Sequence, residues 1–235
     1  MHGKRLSGFA LLAGVMVCLL AQPARGQQAK PKAAAGLPRA EDGKADLSGV
    51  WIVSDGLQIT PNPPYQPAFQ KLWEERKKNA SDDPAKYCLP NGVVRMTSRP
   101  YKIVQTEKLV VLLSEGNTHS FRRFFLDGRA HNLDLEPNSW TGDSIASWEG
   151  DTLVVDSIGF NDRTWLDDTG KPHSDELHVV ERYRRPNLNR LEIQYTIEDP
   201  KALTKPFTFT RVMTLVPDRD LQEYFCTDTN RLAAK

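Results

Sequence analysis

The sequence predicts an all-β fold: a single antiparallel β-barrel of about ten strands, with one amphipathic helix near its N-terminus. Three observations predict it. Strand-length runs rich in β-branched and aromatic residues follow one another from residue 101 onward. The links between them are short and hold turn residues, such as Gly116-Asn117 and Asp127-Gly128. Only the stretch 68–80 has apolar residues at helical spacing. A meander with local connections closes most economically into a barrel, because closure removes exposed strand edges.

Residues 1–26 are predicted to form a secretory signal peptide. Lys4 and Arg5 precede an apolar run over residues 6–21, and Ala24 and Gly26 fit the small-residue cleavage positions. The apolar run is short for a membrane span, and no stop-transfer pattern follows it. Residues 27–45 have no apolar period and are predicted to be a flexible linker. The chain is therefore predicted to be periplasmic or secreted, with one domain over residues 46–230 and a tail over 231–235.

Charge and composition narrow the class of partner. The chain has a net charge of +1, and the predicted signal peptide holds three basic residues and no acidic one, so the mature chain has a charge of −2. A near-neutral chain has no electrostatic reason to bind nucleic acid or an anionic membrane. We therefore expect neither nucleic acid as partner nor an integral membrane span after signal cleavage. The sequence holds no phosphate loop, nucleotide fingerprint or metal-binding motif, so no cofactor and no metal are predicted.

The predicted domain holds two cysteines, Cys88 and Cys226. Two thiols in one domain of an oxidising compartment more often form a disulfide than remain free, and no further metal ligands cluster near either. We therefore expect a Cys88–Cys226 disulfide that ties an early loop to the last strand. Without it, both thiols would be candidate reactive groups.

The predicted elements follow in order along the chain. Residues 46–53 predict a first strand around Gly49 and Trp51, and a Pro-rich run over 61–67 then breaks regular structure. The stretch 68–80 predicts a helix, because Phe69, Leu72 and Trp73 recur at helical spacing and charged residues occupy the other faces. Further strands are predicted over residues 101–106, 109–115, 118–126, 144–148, 152–156, 177–184, 191–198, 207–216 and 221–226.

Two neighbouring predicted strands differ in their charge pattern. The run 191–198 alternates cleanly between apolar and polar residues, as a strand with one solvent-facing side requires. The run 177–184 carries charge on both faces, with Glu181 on one and Arg182 and Arg184 on the other. Either this strand lies near an edge of the sheet, or one of its faces lines a polar cavity.

The link between the predicted strands 152–156 and 177–184 holds candidate catalytic residues. His173 is either a general acid or base, because an imidazole titrates near neutrality, or a hydrogen-bonded brace of the loop. Glu176 and His178, two positions apart on a strand, project to the same face. That spacing suits a proton-transfer pair, two metal ligands or a structural polar pair. The candidate catalytic set is His173, Glu176, His178 and Asp162.

The same link supplies most of the candidate ligand-binding residues. Asn161 is typical of a turn that caps its own backbone. Trp165 is either an apolar plug that seats the loop on the barrel or a ring that stacks on a planar ligand. His119 shares a strand face with Arg123, with Arg122 on the opposite face, and would add to an anion or metal site if it pointed inward. The candidate ligand-binding set is Asn161, Thr164, Trp165, Asp167, His119 and Arg182.

Several motifs together carry a resemblance to a known family. They are GFNDRTWLD over residues 159–167, GKPHS over 170–174, LHVVERYRR over 177–185, DLSGVW over 46–51 and FLDG over 125–128. This combination resembles a family of secreted bacterial proteins from soil organisms, over nearly the whole predicted domain, and it implies no activity. The predicted barrel and its Gly49-x-Trp51 pair also look like the lipocalin superfamily. That resemblance implies a barrel that binds a small apolar molecule or, in a minority of members, an enzyme.

These observations favour a binding protein that holds a small, partly apolar ligand in the barrel, with the 159–178 loop at its mouth. The alternative is a cofactor-free isomerase, lyase or hydrolase that uses His173 or His178 with a nearby carboxylate for acid/base chemistry. A third hypothesis is a structural module whose loop only staples the barrel. An interior lined by Phe207, Phe209 and Tyr195, without a convergent histidine and carboxylate, would argue against the enzyme.

Overall fold

A computed structural model gives the fold and describes residues 36–56, 59, 61–116, 120–134 and 138–226. The predicted signal peptide, residues 27–35 of the predicted linker, the predicted tail and His119 lie outside the described residues. Within them the chain forms nine strands. They are β1 (Gly49–Val53), β2 (Tyr101–Gln105), β3 (Leu109–Ser114), β4 (Phe121–Phe125), β5 (Asp143–Glu149), β6 (Thr152–Ile158), β7 (His178–Asn187), β8 (Arg190–Glu198) and β9 (Phe207–Leu215).

The described strands form one closed barrel in which each strand lies beside its neighbours in sequence. β9 pairs with β1, with Leu215 opposite Trp51, so the first and last strands close the ring. The predicted all-β barrel is therefore confirmed, with one strand fewer than expected. Residues 221–226 do not form the predicted last strand, because β1 already occupies the edge of β9 to which another strand would add.

One junction departs from the predicted antiparallel pattern. β4 and β5 run parallel and are joined by a single residue pair, Phe125 opposite Ile145. Parallel neighbours need a long crossover, because the chain must return to the same end of the sheet before the second strand begins. The described residues 126–134 and 138–142 belong to this crossover. The expectation of an antiparallel barrel throughout is thus corrected at the β4–β5 junction, which is named the seam below.

Alternating side chains fill the barrel interior. On β8, Leu191, Ile193, Tyr195 and Ile197 point inward and are fully buried, as the sequence pattern predicted. β7 pairs with strands on both sides, so it is not an edge strand. Its inward face carries Glu181, which is also fully buried. The charge on both faces of this strand therefore reflects a partly polar interior.

Helical segments lie outside the sheet and pack on it. The predicted helix forms as α1 (Pro67–Lys78), and its Trp73 belongs to the hydrophobic core. A one-turn helix, α2 (Val93–Met96), is wholly buried. Two short 3₁₀ helices, Ala80–Asp82 and Pro84–Tyr87, lie between them. Among the described residues, no helix has the length and apolar character that crossing a membrane requires.

Both ends of the described chain are tied to the domain. The predicted disulfide joins Cys226, after β9, to Cys88, and their Cα atoms lie 5.6 Å apart. At the other end the compact unit begins at Gly36, within the predicted linker. There Arg39 pairs with Asp151 in the β5–β6 turn through both carboxylate oxygens.

Candidate functional site

The β6–β7 loop, residues 159–177, holds most of the predicted site residues and is largely buried. His173 is 3% exposed. Its Nδ1 lies 2.9 Å from the carbonyl oxygen of Ser174, and its Nε2 lies 2.7 Å from Oγ1 of Thr164. Because a carbonyl oxygen only accepts, Nδ1 carries the hydrogen and donates it, and Nε2 accepts from Thr164. Burial lowers the pKa of His173. Both ring nitrogens are therefore used inside the loop, in the geometry of a brace.

A buried ion pair fixes the same loop. Nζ of Lys171 donates to Oδ2 of Asp167 at 2.6 Å, and both side chains are almost fully buried. Asp167 also accepts hydrogen bonds from Thr169 and from the backbone N–H of Ile59. Burial alone would raise the pKa of Asp167, but the hydrogen bonds from Lys171, Thr169 and Ile59 hold that pKa below its ordinary value. Asp167 is thus an ionised group whose acceptor sites are occupied by its own chain.

Other residues of the loop, most of them predicted site residues, are also bonded to groups of the protein. Ser174 donates from its backbone and its hydroxyl to the carboxylate of Asp199, at 2.7 and 2.6 Å. Trp165 is buried, and an arginine of α1 lies over its ring at 5.6 Å. Oδ1 of Asn161 accepts from the backbone N–H two residues later, at 3.0 Å, which is the predicted turn. Asp162 is exposed on the surface. The buried polar groups of the loop are therefore bonded to other groups of the protein, whereas Asp162 faces solvent.

The remaining predicted residues lie on the outer surface with separate partners. Glu176 pairs with a lysine of the β8–β9 loop at 3.1 Å. His178, the first residue of β7, contacts Glu198 through Nδ1 at 3.2 Å and Asp156 through Nε2 at 3.1 Å. Arg182 pairs with the last residue of β5 at 2.5 Å. The predicted residues Glu176 and His178 are therefore bonded to different groups, and neither is bonded to the other.

His178 belongs to a surface chain of alternating imidazoles and carboxylates. Oδ1 of Asp156 lies 3.1 Å from Nε2 of His178 and 3.2 Å from Nε2 of His131. Nδ1 of His131 in turn lies 2.8 Å from Asp143 in β5. Across the described part of the chain, no group of three or more His, Cys, Asp or Glu side chains is arranged to hold a metal ion. The imidazoles and carboxylates thus form one hydrogen-bonded surface network, which ends at Asp143.

The barrel interior holds a buried ion pair between β4 and β7. Arg122 and Glu181 are 2% and 0% exposed and form two hydrogen bonds, of 2.9 and 2.5 Å. The hydroxyl of Tyr183 donates to Glu181 at 2.9 Å, and Nη2 of Arg122 donates to Ser144 and Ser157 at 3.2 and 3.0 Å. Burial alone would lower the pKa of Arg122, but the carboxylate of Glu181 raises that pKa above its ordinary value. The two charges are therefore matched inside the protein.

Aromatic side chains occupy much of the remaining interior. Tyr195 stacks on Phe209 with ring centroids 4.8 Å apart, and Phe209 stacks on Phe207 at 6.0 Å. The buried hydroxyl of Tyr101 has no hydrogen-bond partner among the described residues. The carboxylate of Glu181 is bonded to arginine and tyrosine, and no described histidine is bonded to it. The described interior thus offers no paired histidine and carboxylate to the enzyme hypothesis.

A cavity of about 440 Å³ lies at the seam. It is lined by residues of β4, of the crossover and of β5, and it reaches around the edge of β4. Arg122 and Ser144 lie at its buried end, and Phe121, which is 53% exposed, lies at its open side. The cavity forms here because a single residue pair joins β4 to β5. Its volume falls in the range of roughly 300–1,000 Å³ that small-molecule pockets occupy.

Arginines and aromatic rings alternate in the lining of the cavity. The guanidinium of Arg129 lies 3.8 Å from the ring centroid of Phe125 and pairs with Asp127. The guanidinium of Arg123 lies 5.8 and 5.5 Å from the rings of Phe121 and Phe125. In the described chain, no carboxylate forms an ion pair with Arg123. The cavity therefore combines apolar walls with an exposed cation.

None of the predicted catalytic or ligand-binding residues that the structure describes lines this cavity. The sequence signal that could have found it is the run FRRFF over residues 121–125. Strand alternation puts Arg122 on the face of Phe124, and Arg123 on the face of Phe121 and Phe125. One of two adjacent arginines in an aromatic strand must then point inward, and the other must share its face with Phe121 and Phe125.

The fold and the cavity together define a closed β-barrel with a side pocket of ligand-binding size. No family model matches the chain, and no curated protein and no solved structure matches it. The function is therefore inferred from the geometry of the site.

Proposed function

We propose that the protein is a periplasmic or secreted binding protein that holds one small, partly apolar ligand in the seam cavity. The observation that carries the proposal is the cavity of about 440 Å³, with aromatic side chains at its open side and the exposed cation of Arg123 among them. Small-molecule sites combine such apolar walls with a few polar groups that fix orientation. The motifs over residues 159–185 support membership of the family of secreted bacterial proteins that they resemble.

The cysteines and the N-terminal pattern support the proposed compartment. A disulfide between Cys88 and Cys226 is typical of an oxidising compartment. The predicted signal peptide over residues 1–26 supports export across the membrane. Together they favour the periplasm or the exterior of the cell as the place where the ligand is met.

The ligand would lie in the seam cavity, and not deep in the barrel or under the β6–β7 loop as the sequence led us to expect. Large, fully buried side chains occupy the interior, among them Trp51, Tyr101 and Tyr183. The polar groups of the loop are bonded to one another, as at His173 and Asp167. A ligand at either place would have to displace existing contacts, whereas the seam has volume already available.

Binding of a neutral apolar dye tests this function. N-phenyl-1-naphthylamine, whose fluorescence rises in apolar surroundings, is titrated into the mature protein. We expect saturable binding that Thr141→Trp weakens by about tenfold or more, because Thr141 lines the cavity and a tryptophan there would fill it. Thr208→Trp is the matched control, since Thr208 is exposed on β9 and does not line the cavity. Equal affinity in all three proteins, or no saturable binding, would contradict the proposed function.

A further inference from the structure

We propose that the ligand is a small organic anion, a carboxylate or sulfonate carried on a planar apolar body, whose charge pairs with Arg123. The proposed ligand class rests on the proposed function, because it gives the charge and shape of the molecule in the seam cavity. It follows from which lining charges already have charged partners among the described residues and which do not.

Two of the three lining arginines are already matched by carboxylates. Arg122 forms two hydrogen bonds with the buried Glu181. Arg129 donates from Nε and Nη2 to Asp127, at distances of 2.5 to 3.0 Å. Each arginine and its partner sum to zero charge. A ligand anion gains little from either, because it would compete with a carboxylate already in place.

The one carboxylate of the lining is also engaged. Oδ2 of Asp143 accepts from Nδ1 of His131 at 2.8 Å and from the backbone N–H of Asn132 at 3.2 Å. Its side chain is 19% exposed, so most of it is turned away from solvent. Asp143 therefore does not offer an open partner to a cationic ligand.

Arg123 is the lining charge that remains without a partner among the described carboxylates. Its guanidinium lies between the rings of Phe121 and Phe125, on the outer face of β4. A guanidinium packed on rings keeps its N–H groups free at the edge, and the fork they form matches a carboxylate or sulfonate. Besides Arg123, an arginine of the β6–β7 loop lies nearby. The guanidinium of Arg163 lies 5.8 Å from the ring centroid of Trp140 and adds positive charge on the crossover side of the cavity.

The aromatic walls of the cavity determine the shape of the ligand's apolar part. Phe121, Phe125 and Trp140 line the cavity from the outer face of β4 and from the crossover. Aromatic side chains favour flat partners that lie against a ring face or edge. A neutral ligand of that shape would leave the exposed charge of Arg123 paired with water alone, and a cation would be repelled. An anion satisfies both the rings and Arg123.

A matched pair of dyes separates charge from apolar contact. 1-Anilinonaphthalene-8-sulfonate carries a sulfonate on the aromatic skeleton of neutral N-phenyl-1-naphthylamine. Each dye is titrated into the wild type, Arg123→Gln and Arg184→Gln. Arg184 is the matched control, because it is an exposed arginine on the outer face of β7 and does not line the cavity. We expect Arg123→Gln to weaken the sulfonate dye by about tenfold or more and to leave the neutral dye within about twofold, and Arg184→Gln to change neither.

The outcomes separate failure of the ligand class from failure of the function. If Arg123→Gln leaves the affinity of the sulfonate dye unchanged while Thr141→Trp still weakens the neutral dye, the ligand is not selected by charge but the binding function stands. If Thr141→Trp weakens neither dye, the seam cavity is not the binding site and both proposals fail. A titration at high salt adds an independent measurement: screening should weaken the sulfonate dye and spare the neutral one, and equal salt dependence would overturn the role of Arg123.

Discussion

The β6–β7 loop and the seam use polar groups in opposite ways. In the loop, His173, Asp167 and Ser174 are buried and bonded to neighbouring groups of the same protein. At the seam, Arg123 is exposed between two rings and has no partner among the described carboxylates. The loop is the more conspicuous of the two in the sequence, yet the seam holds the open volume.

This difference teaches that a dense group of polar residues is not by itself a binding site. Polar groups that are buried must be hydrogen-bonded, so a loop that packs against a barrel accumulates residues that bond one another. A binding site instead needs a polar group that can still form a hydrogen bond or an ion pair with a ligand. The variants below measure this difference, because substitutions in the loop should change stability and substitutions at the seam should change binding.

The largest effect on stability is expected from Asp167→Asn. The variant leaves the ammonium of Lys171 buried without its carboxylate partner, and breaking a buried ion pair typically costs about 3–5 kcal/mol. The free energy of unfolding from urea denaturation measures the loss. Asp167→Asn/Lys171→Met should recover much of it, because the methionine removes the unpaired buried charge. A loss below about 1 kcal/mol in the single variant would show that the loop is not anchored by this pair.

A smaller loss is expected from His173→Ala. The substitution leaves Thr164 and the carbonyl of Ser174 without their partner in a buried place, at a cost of about 1–3 kcal/mol. His178→Ala is the control, because His178 is partly exposed and water can replace its contacts. Equal melting temperatures for wild type and His173→Ala would contradict the bracing role and restore His173 as a candidate for chemistry.

The pH dependence of stability gives a third measurement on the same histidine. Burial lowers the pKa of His173, so the folded protein resists a proton that the unfolded chain accepts. Its contribution to stability is present above the unfolded pKa of about 6.5 and is lost as pH falls through the folded pKa, at up to about 1.4 kcal/mol per pH unit. Compared with His173→Gln, the wild type should therefore lose more stability between pH 7.5 and pH 5. Parallel profiles would show that the imidazole is not buried in its neutral form.

Most of the fold could be predicted, because strand alternation is a local property. The inward residues of β8 and the helix α1 could be predicted from the spacing of apolar residues alone. The direction of β5 relative to β4 was not, since the crossover over 126–142 carries no local signal that distinguishes it from a loop between antiparallel strands. The missing tenth strand has a related cause: closure of β9 on β1 is a long-range pairing that no local pattern reports.

The site was harder to predict, because burial and partners decide it and neither is local. His173 and Asp167 read as reactive groups until their partners are known. Arg122 and Arg123 are adjacent and chemically identical, yet one is paired with Glu181 inside the barrel and the other is exposed at the cavity. Alternation separates their faces. Only the tertiary structure shows that Glu181, 59 residues after Arg122, pairs with Arg122, and that no described carboxylate pairs with Arg123.

The smallest effect on stability is expected at the seam itself. Arg123→Gln removes an exposed side chain that forms no ion pair with a described carboxylate, so the free energy of unfolding should change by no more than about 0.5 kcal/mol. The same variant is expected to show the largest loss of anionic dye binding, whereas Asp167→Asn, measured at a temperature where it stays folded, should bind the dye as the wild type does. If Arg123→Gln instead destabilised the protein as strongly as His173→Ala, Arg123 would be a structural residue of the seam. Arg123 would then be bonded within the protein, as the polar groups of the loop are, and the seam and the loop would not differ in this respect.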